Sequence, residues 1–212
     1  VDGASATIKL DGNYPTGTSN VALGDSALDD GSLSGGCNVA IGHLTLSANT
    51  SGGRNIAIGR APMQSNITGD DNVAIGDQAL VNNTAGDFNV AIGRASLFSN
   101  TADNNTAVGS CSLFANTTAD DNTAVGYQTL QDNTTGNRNV ALGKNALASN
   151  TTAANSQAIG YNALVTNTTG CQNTAIGTGA LQANTTGNNN ISIGISSLYS
   201  NTEGGDNVAI GC

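Results

Sequence analysis

At 212 residues the chain is long enough for one or two compact domains, yet charged residues make up only 10% of it, aromatics 3%, and Trp is absent. A formal charge of −9 with only six Lys and Arg excludes nucleic acid as a partner, because gripping a phosphate backbone takes clustered positive charge. No apolar run approaches the roughly 20 residues of a membrane span, and metal or nucleotide motifs are missing, so neither bilayer insertion nor a cofactor is expected.

Disordered chains of this polarity carry more charge and fewer β-branched residues. Here Ile, Val and Leu return at fixed intervals, the mark of an ordered repeat. Residues 1–19, VDGASATIKLDGNYPTGTS, lie outside the repeat. Their ATIKL predicts a strand that caps the first coil or closes a preceding domain. Nothing there has the basic-then-apolar character of a signal peptide.

Residues 20–212 form the repeat domain. Its phrases end in NxAIG, with the glycines at 24, 42, 59, 76, 93, 109, 126, 143, 160, 177, 194 and 211. The step is seventeen residues, except eighteen after Gly24 and sixteen after Gly93. That is too short for helical pairs and suits a parallel β-solenoid or β-roll of about twelve coils, each adding one rung to a sheet. At about 4.8 Å per rung such a rod is on the order of 55 Å long. The last coil stops at Cys212 and reads as truncated.

Within the coil, the residue before the glycine is always Ile, Val or Leu, as in Ile58, Ile75 and Val125, and four residues after it comes Leu or Met, as in Met63, Leu80 and Leu130. These two bulky columns are expected to fill the interior from two short strands. Alternation along a strand then turns the alanine column outward. Because its size does not drift, something must pack against it, so Ala40, Ala57, Ala74, Ala91, Ala124, Ala141, Ala158 and Ala175 are predicted to form a seam between subunits. The column before them (Val73, Val90, Thr106, Thr123, Gln157) admits Thr and Gln and suits the same seam. Two aliphatic side chains per coil make a thin interior, which also argues for a homotrimer. Asn columns four residues before and seven after the glycine predict turns with stacked amide ladders, and Gly69, Gly86, Gly136, Gly170, Gly187 and Gly204 are expected to supply positive φ.

No catalytic constellation emerges. His43 is the only histidine and occupies a variable position. The carboxylates at Asp29, Asp30, Asp70, Asp71, Asp87, Asp103, Asp120 and Asp121 lack a calcium-roll pattern and read as solvated turns. Cys37, Cys111, Cys171 and Cys212 fall in four different columns without CxxC spacing, and read as unpaired thiols. Asn116, Asn133, Asn150, Asn167 and Asn184 each head an N-x-T sequon, a glycosylation acceptor pattern whose plainer reading is turn bonding. Rows of Thr beside them raise the ice-binding solenoids as a third class of function. Phe98, Phe114, Tyr127, Tyr161 and Tyr199 lie in variable columns, and Tyr127 with Tyr161 is the candidate glycan contact.

The stretch NTAVGYQTLQDNTTGNRNVALG, from Asn122 to Gly143, resembles repeats in the shafts of phage and virus tail fibres, upstream of a self-cleaving intramolecular chaperone. Its NVAIG core is also similar to the head repeats of trimeric autotransporter adhesins. The resemblance spans residues 20–212 and implies a left-handed β-roll that assembles as a trimer. It implies a virion location, a spacer role and contact with a host-surface glycan or protein. The alternative is a bacterial surface adhesin or extracellular filament. The repeat here is longer than the adhesin one, the extra residues lengthening the NTTG turn.

Overall fold

A computed structural model of the protein describes residues 19–212, so the expected ATIKL cap lies outside the described residues. Twelve three-residue strands follow one another: β1 (Val21–Leu23), β2 (Val39–Ile41), β3 (Ile56–Ile58), β4 (Val73–Ile75), β5 (Val90–Ile92), β6 (Thr106–Val108), β7 (Thr123–Val125), β8 (Val140–Leu142), β9 (Gln157–Ile159), β10 (Thr174–Ile176), β11 (Ile191–Ile193) and β12 (Val208–Ile210). They form a single parallel sheet in strict chain order. Register is column on column: Ala74 pairs with Ala91, Ile75 with Ile92. The sixteen-residue coil does not disturb it, since Ala91 pairs with Ala107. The β-solenoid expected from the period is therefore the fold.

Two features of the coil differ from the expectation. Each coil has one strand, not two. The segment carrying the Leu column is a turn in which two residues per coil adopt left-handed dihedrals, for example Gln78 (φ 58°) and Leu80 (φ 53°). Rung-to-rung bonding continues there regardless: the Leu80 N–H donates to the Ser96 carbonyl at 2.9 Å, and Leu97 to Ser112 at 3.0 Å. A left-handed residue costs about 1–2 kcal/mol by chirality, a cost the stacked ladder and the burial of Leu offset in every coil.

The second difference is the direction of the strand faces. The alanine column is fully buried within the chain, from Ala40 through Ala175, together with Leu28, Leu46, Met63 and the later leucines. The Ile/Val column and the Val/Thr column flank it on the outside: Ile92 is 37% exposed and Val125 38%. The interior is thus Ala against Leu, closed by a small residue one position before the Leu, such as Ala79, Ser96 or Ala146. A coil this narrow has room for one large side chain per turn. Leu takes that place, and the strand must turn its smallest residue inward. The expected Ile-inside arrangement and the alanine seam are both corrected by this burial.

The glycine that closes each phrase is required twice over. At Gly76 φ is 134°, and an added Cβ would lie 2.7 Å from the carbonyl oxygen of Gly93 on the next rung. The turn glycines have another cause than expected. Gly69 and Gly136 carry no positive φ; a Cβ on Gly69 would press on the Asn66 side chain and the Gly86 carbonyl, 2.5 and 2.6 Å away. The same column accepts Ala119 and Ala153, both fully buried, so it asks for small size and not for left-handed backbone.

The remaining interior is polar. Both Asn columns are fully buried from Asn38 to Asn190. In the first, the Asn55 N–H donates to Asn38 Oδ1 and the Asn72 N–H to Asn55 Oδ1, each at 2.9 Å. In the second, Asn66 Nδ2 donates to Asn49 Oδ1 at 2.8 Å and Asn83 Nδ2 to Asn66 Oδ1 at 2.9 Å. Both columns also clamp one turn carbonyl, Gly69 O accepting from Asn55 Nδ2 (2.8 Å) and Asn66 Nδ2 (3.1 Å). Buried amides are tolerated only when bonded in this way; Asn122 Nδ2 is the one buried side-chain amide nitrogen among the described residues left without a partner.

Candidate functional site: an outward aliphatic strand face

Each strand presents two side chains outward and one inward, so twelve rungs give twenty-four outward positions. Twenty are Ile, Val or Leu, and none is charged; Thr106, Thr123, Gln157 and Thr174 are the rest. The chain has 21 Asp, Glu, Lys and Arg elsewhere, and a face kept wet would be expected to hold some of them. The stripe is about 50 Å long at the usual rung spacing. With two side-chain columns across, it offers on the order of 700 Å² per chain, above the roughly 300–600 Å² of the largest apolar patch on a typical monomer and near the ~800 Å² that each partner gives to a stable complex.

The glycan candidates stand apart from this face. Tyr127 and Tyr161 follow the glycine directly, two rungs apart, and are 48% and 49% exposed. Lys144, on the rung between them, places Nζ 5.7 Å from the Tyr127 ring centre and 5.9 Å from that of Tyr161. The ammonium thus occupies the ring faces that a sugar between them would use. The other aromatics are engaged with one another or with neighbours: Phe98 stacks on Phe114 at 4.9 Å, and Gln182 Nε2 donates to Tyr199 Oη at 3.1 Å. Phe88, 59% exposed, was not among the sequence candidates; its column mixes Arg54, Asp71 and Asn104, so no periodic signal marks it.

The acidic turns are ordered, not merely solvated. Asp70 Oδ1 accepts the Gly53 N–H at 2.6 Å, Asp87 Oδ1 the Asp70 N–H at 2.7 Å, and Asp103 Oδ1 the Asp87 N–H at 2.8 Å. Arg54 bridges Asp70 and Asp71 at 3.1 and 2.7 Å, and its hydrogen bond holds the Asp71 carboxyl below the ordinary range. The Ser32 hydroxyl and N–H do the same for Asp30. Among the described residues no three His, Cys, Asp or Glu side chains are grouped to hold a metal ion. His43 lies 3.7 Å from Asp25, both well exposed. All four cysteines are free thiols.

The five sequon asparagines are fully buried, and the amide nitrogen to which a glycan would bond already has both hydrogens donated: Asn133 Nδ2 donates to Asn116 Oδ1 at 2.8 Å and to Gly136 O at 3.0 Å. Turn bonding is what these residues do. The Thr row beside them is likewise turned on itself, Thr134 Oγ1 donating to Thr151 O at 2.9 Å and Thr151 Oγ1 to Thr168 O at 3.0 Å. Comparison with protein-family models, with curated proteins and with solved structures found no match to this chain.

Proposed function

We propose that this chain is a structural rod segment of a homotrimeric fibre, a tail-fibre shaft that acts as a spacer and carries a host-attachment function, with no catalytic role. The observation that carries the reading is the outward strand face, an uncharged stripe that is aliphatic at twenty of its twenty-four positions along a twelve-stranded parallel sheet. A surface of that size left in water favours self-association. Its uniformity suits a copy of the same chain, because each rung offers the same geometry as the next. The resemblance of the repeats to fibre shafts supplies the copy number of three and the setting. Packing lies on the Ile/Val and Val/Thr columns, replacing the alanine seam.

Light scattering tests this, before and after heating in SDS. The expected result is a mass of three times 20.9 kDa that persists in detergent until heated. A monodisperse monomer at 20.9 kDa would refute the fibre reading.

A further inference from the structure

A repeat rod that pairs with itself has a register problem. Sliding one copy past another by a single rung, about 4.8 Å, restores nearly every aliphatic contact and loses only one rung at each end. Slipped arrangements are close in energy unless the face carries marks that distinguish its rungs. The outward face carries such marks in one column only, at Thr106, Thr123, Gln157 and Thr174, on β6, β7, β9 and β10. Their spacing is uneven, because Val140 on β8 interrupts them.

We propose that these four polar rungs set the axial register between copies of the chain, an inference that rests on the self-association reading above. With no stagger, each polar rung meets its own counterpart and every aliphatic rung meets another. A slip of one rung sets Thr106 against Val90, Thr123 against Val140, Gln157 against Val140 and Thr174 against Ile191, four mismatched levels. A slip of two gives six mismatched levels; a slip of three gives three and also removes three rungs of contact. Among arrangements that keep more than two rungs in contact, zero stagger is the one without a mismatch.

Gln157 is the strongest mark. Its Oε1 already accepts the Thr174 hydroxyl at 3.2 Å, so the two rungs act as a linked unit. Among the described residues its two Nε2–H donors have no partner, and the side chain is exposed. Opposite Gln157 of another copy they meet an acceptor; opposite Val140 they are buried without one. Single polar positions fix register in coiled coils by the same logic, and the cost of a slip here is a device against unintended pairings.

Sedimentation velocity on the full chain tests the proposal. The wild-type chain is expected to give one discrete assembly. The variant Thr106→Val, Thr123→Val, Gln157→Val, Thr174→Val keeps a β-favouring face and is expected to fold. It is expected to spread into a series of larger species, since a staggered pair leaves uncovered rungs at each end that recruit further chains. Val73→Thr adds a polar rung that still meets itself at zero stagger, and should leave the discrete assembly intact. A four-valine variant that sediments as the same single species as wild type overturns the proposal, as does a wild-type chain that is already polydisperse. A wild-type monomer refutes the association reading itself, an outcome distinct from both.

Discussion

Ala124 and Val125 are neighbours on one strand, yet the smaller residue is sealed inside the coil and the larger one lies at the surface. The contrast holds from β2 to β10: the Ala column there is fully buried, while the Ile/Val column is about a third exposed where its exposure is greatest. Hydrophobicity alone would have ordered them the other way. What decides is the cross-section of the coil, which admits one Leu per turn and leaves room for nothing larger than alanine opposite it. The bulky residue is then left at the surface, on the face where we propose that another chain packs.

Enlarging one member of the pair at a time breaks the comparison most sharply. Ala124→Leu forces three extra carbons into a filled interior and is expected to cost about 3 kcal/mol or more, whereas Val125→Leu should stay within roughly 0.5 kcal/mol in the isolated chain. Thermal denaturation of the two variants checks this; equal losses would mean that the two columns do not differ in confinement.

The amide ladder extends the same contrast to polar groups. Asn133→Ala removes the donor to Asn116 Oδ1 and to Gly136 O, and the acceptor of Asn150 Nδ2 at 2.7 Å. Leaving those buried groups unmet is expected to cost roughly 1–3 kcal/mol, read as a lower denaturant midpoint. Ser156 interrupts the first Asn column, its Oγ accepting the Asn173 N–H at a longer 3.2 Å. Restoring the amide with Ser156→Asn should stabilise by about 0.5–1 kcal/mol.

The smallest effect belongs to the exposed pair of Arg54 and Asp71. The Asp71 carboxyl is held below its ordinary range, chiefly by the Arg54 hydrogen bond, so whatever it contributes is present above the ordinary carboxylate range and lost as pH falls through its lowered value. Both groups face water, and salt screens them. Arg54→Ala is expected to leave the melting temperature unchanged at neutral pH and physiological salt, and a clear drop would show that the turn leans on this pair.

The fold itself was legible because the period of seventeen and the invariant glycines are imposed by stacking: every rung must place the same turn at the same height. The buried Leu column and the Asn turns were legible for the same reason. The direction of the strand was not. Alternation says that Ala and Ile face opposite ways, but not which way, and the usual rule that large aliphatics point inward chose wrongly. The signal lay in tolerance: the column of Val73 and Thr123 admits Gln157, which a narrow interior would refuse, while alanine gives way only at Ser192, whose hydroxyl is bonded to Ser197 O at 2.7 Å. By that single inversion the alanine column, which is buried within the chain, was read as a surface seam. The single-strand coil was also out of reach, since a Leu column at a fixed interval looks alike whether its backbone is extended or left-handed.

The most direct test of the central claim places a charge on each side of the same strands. The chain carrying Val125→Lys and Ile159→Lys should keep its β-rich circular dichroism while its mass by light scattering falls to that of the monomer; the chain carrying Ala124→Lys and Ala158→Lys should fail to fold. The reverse pattern, a folded monomer from the alanine pair and an unfolded chain from the other, would contradict the account and return the alanines to the surface.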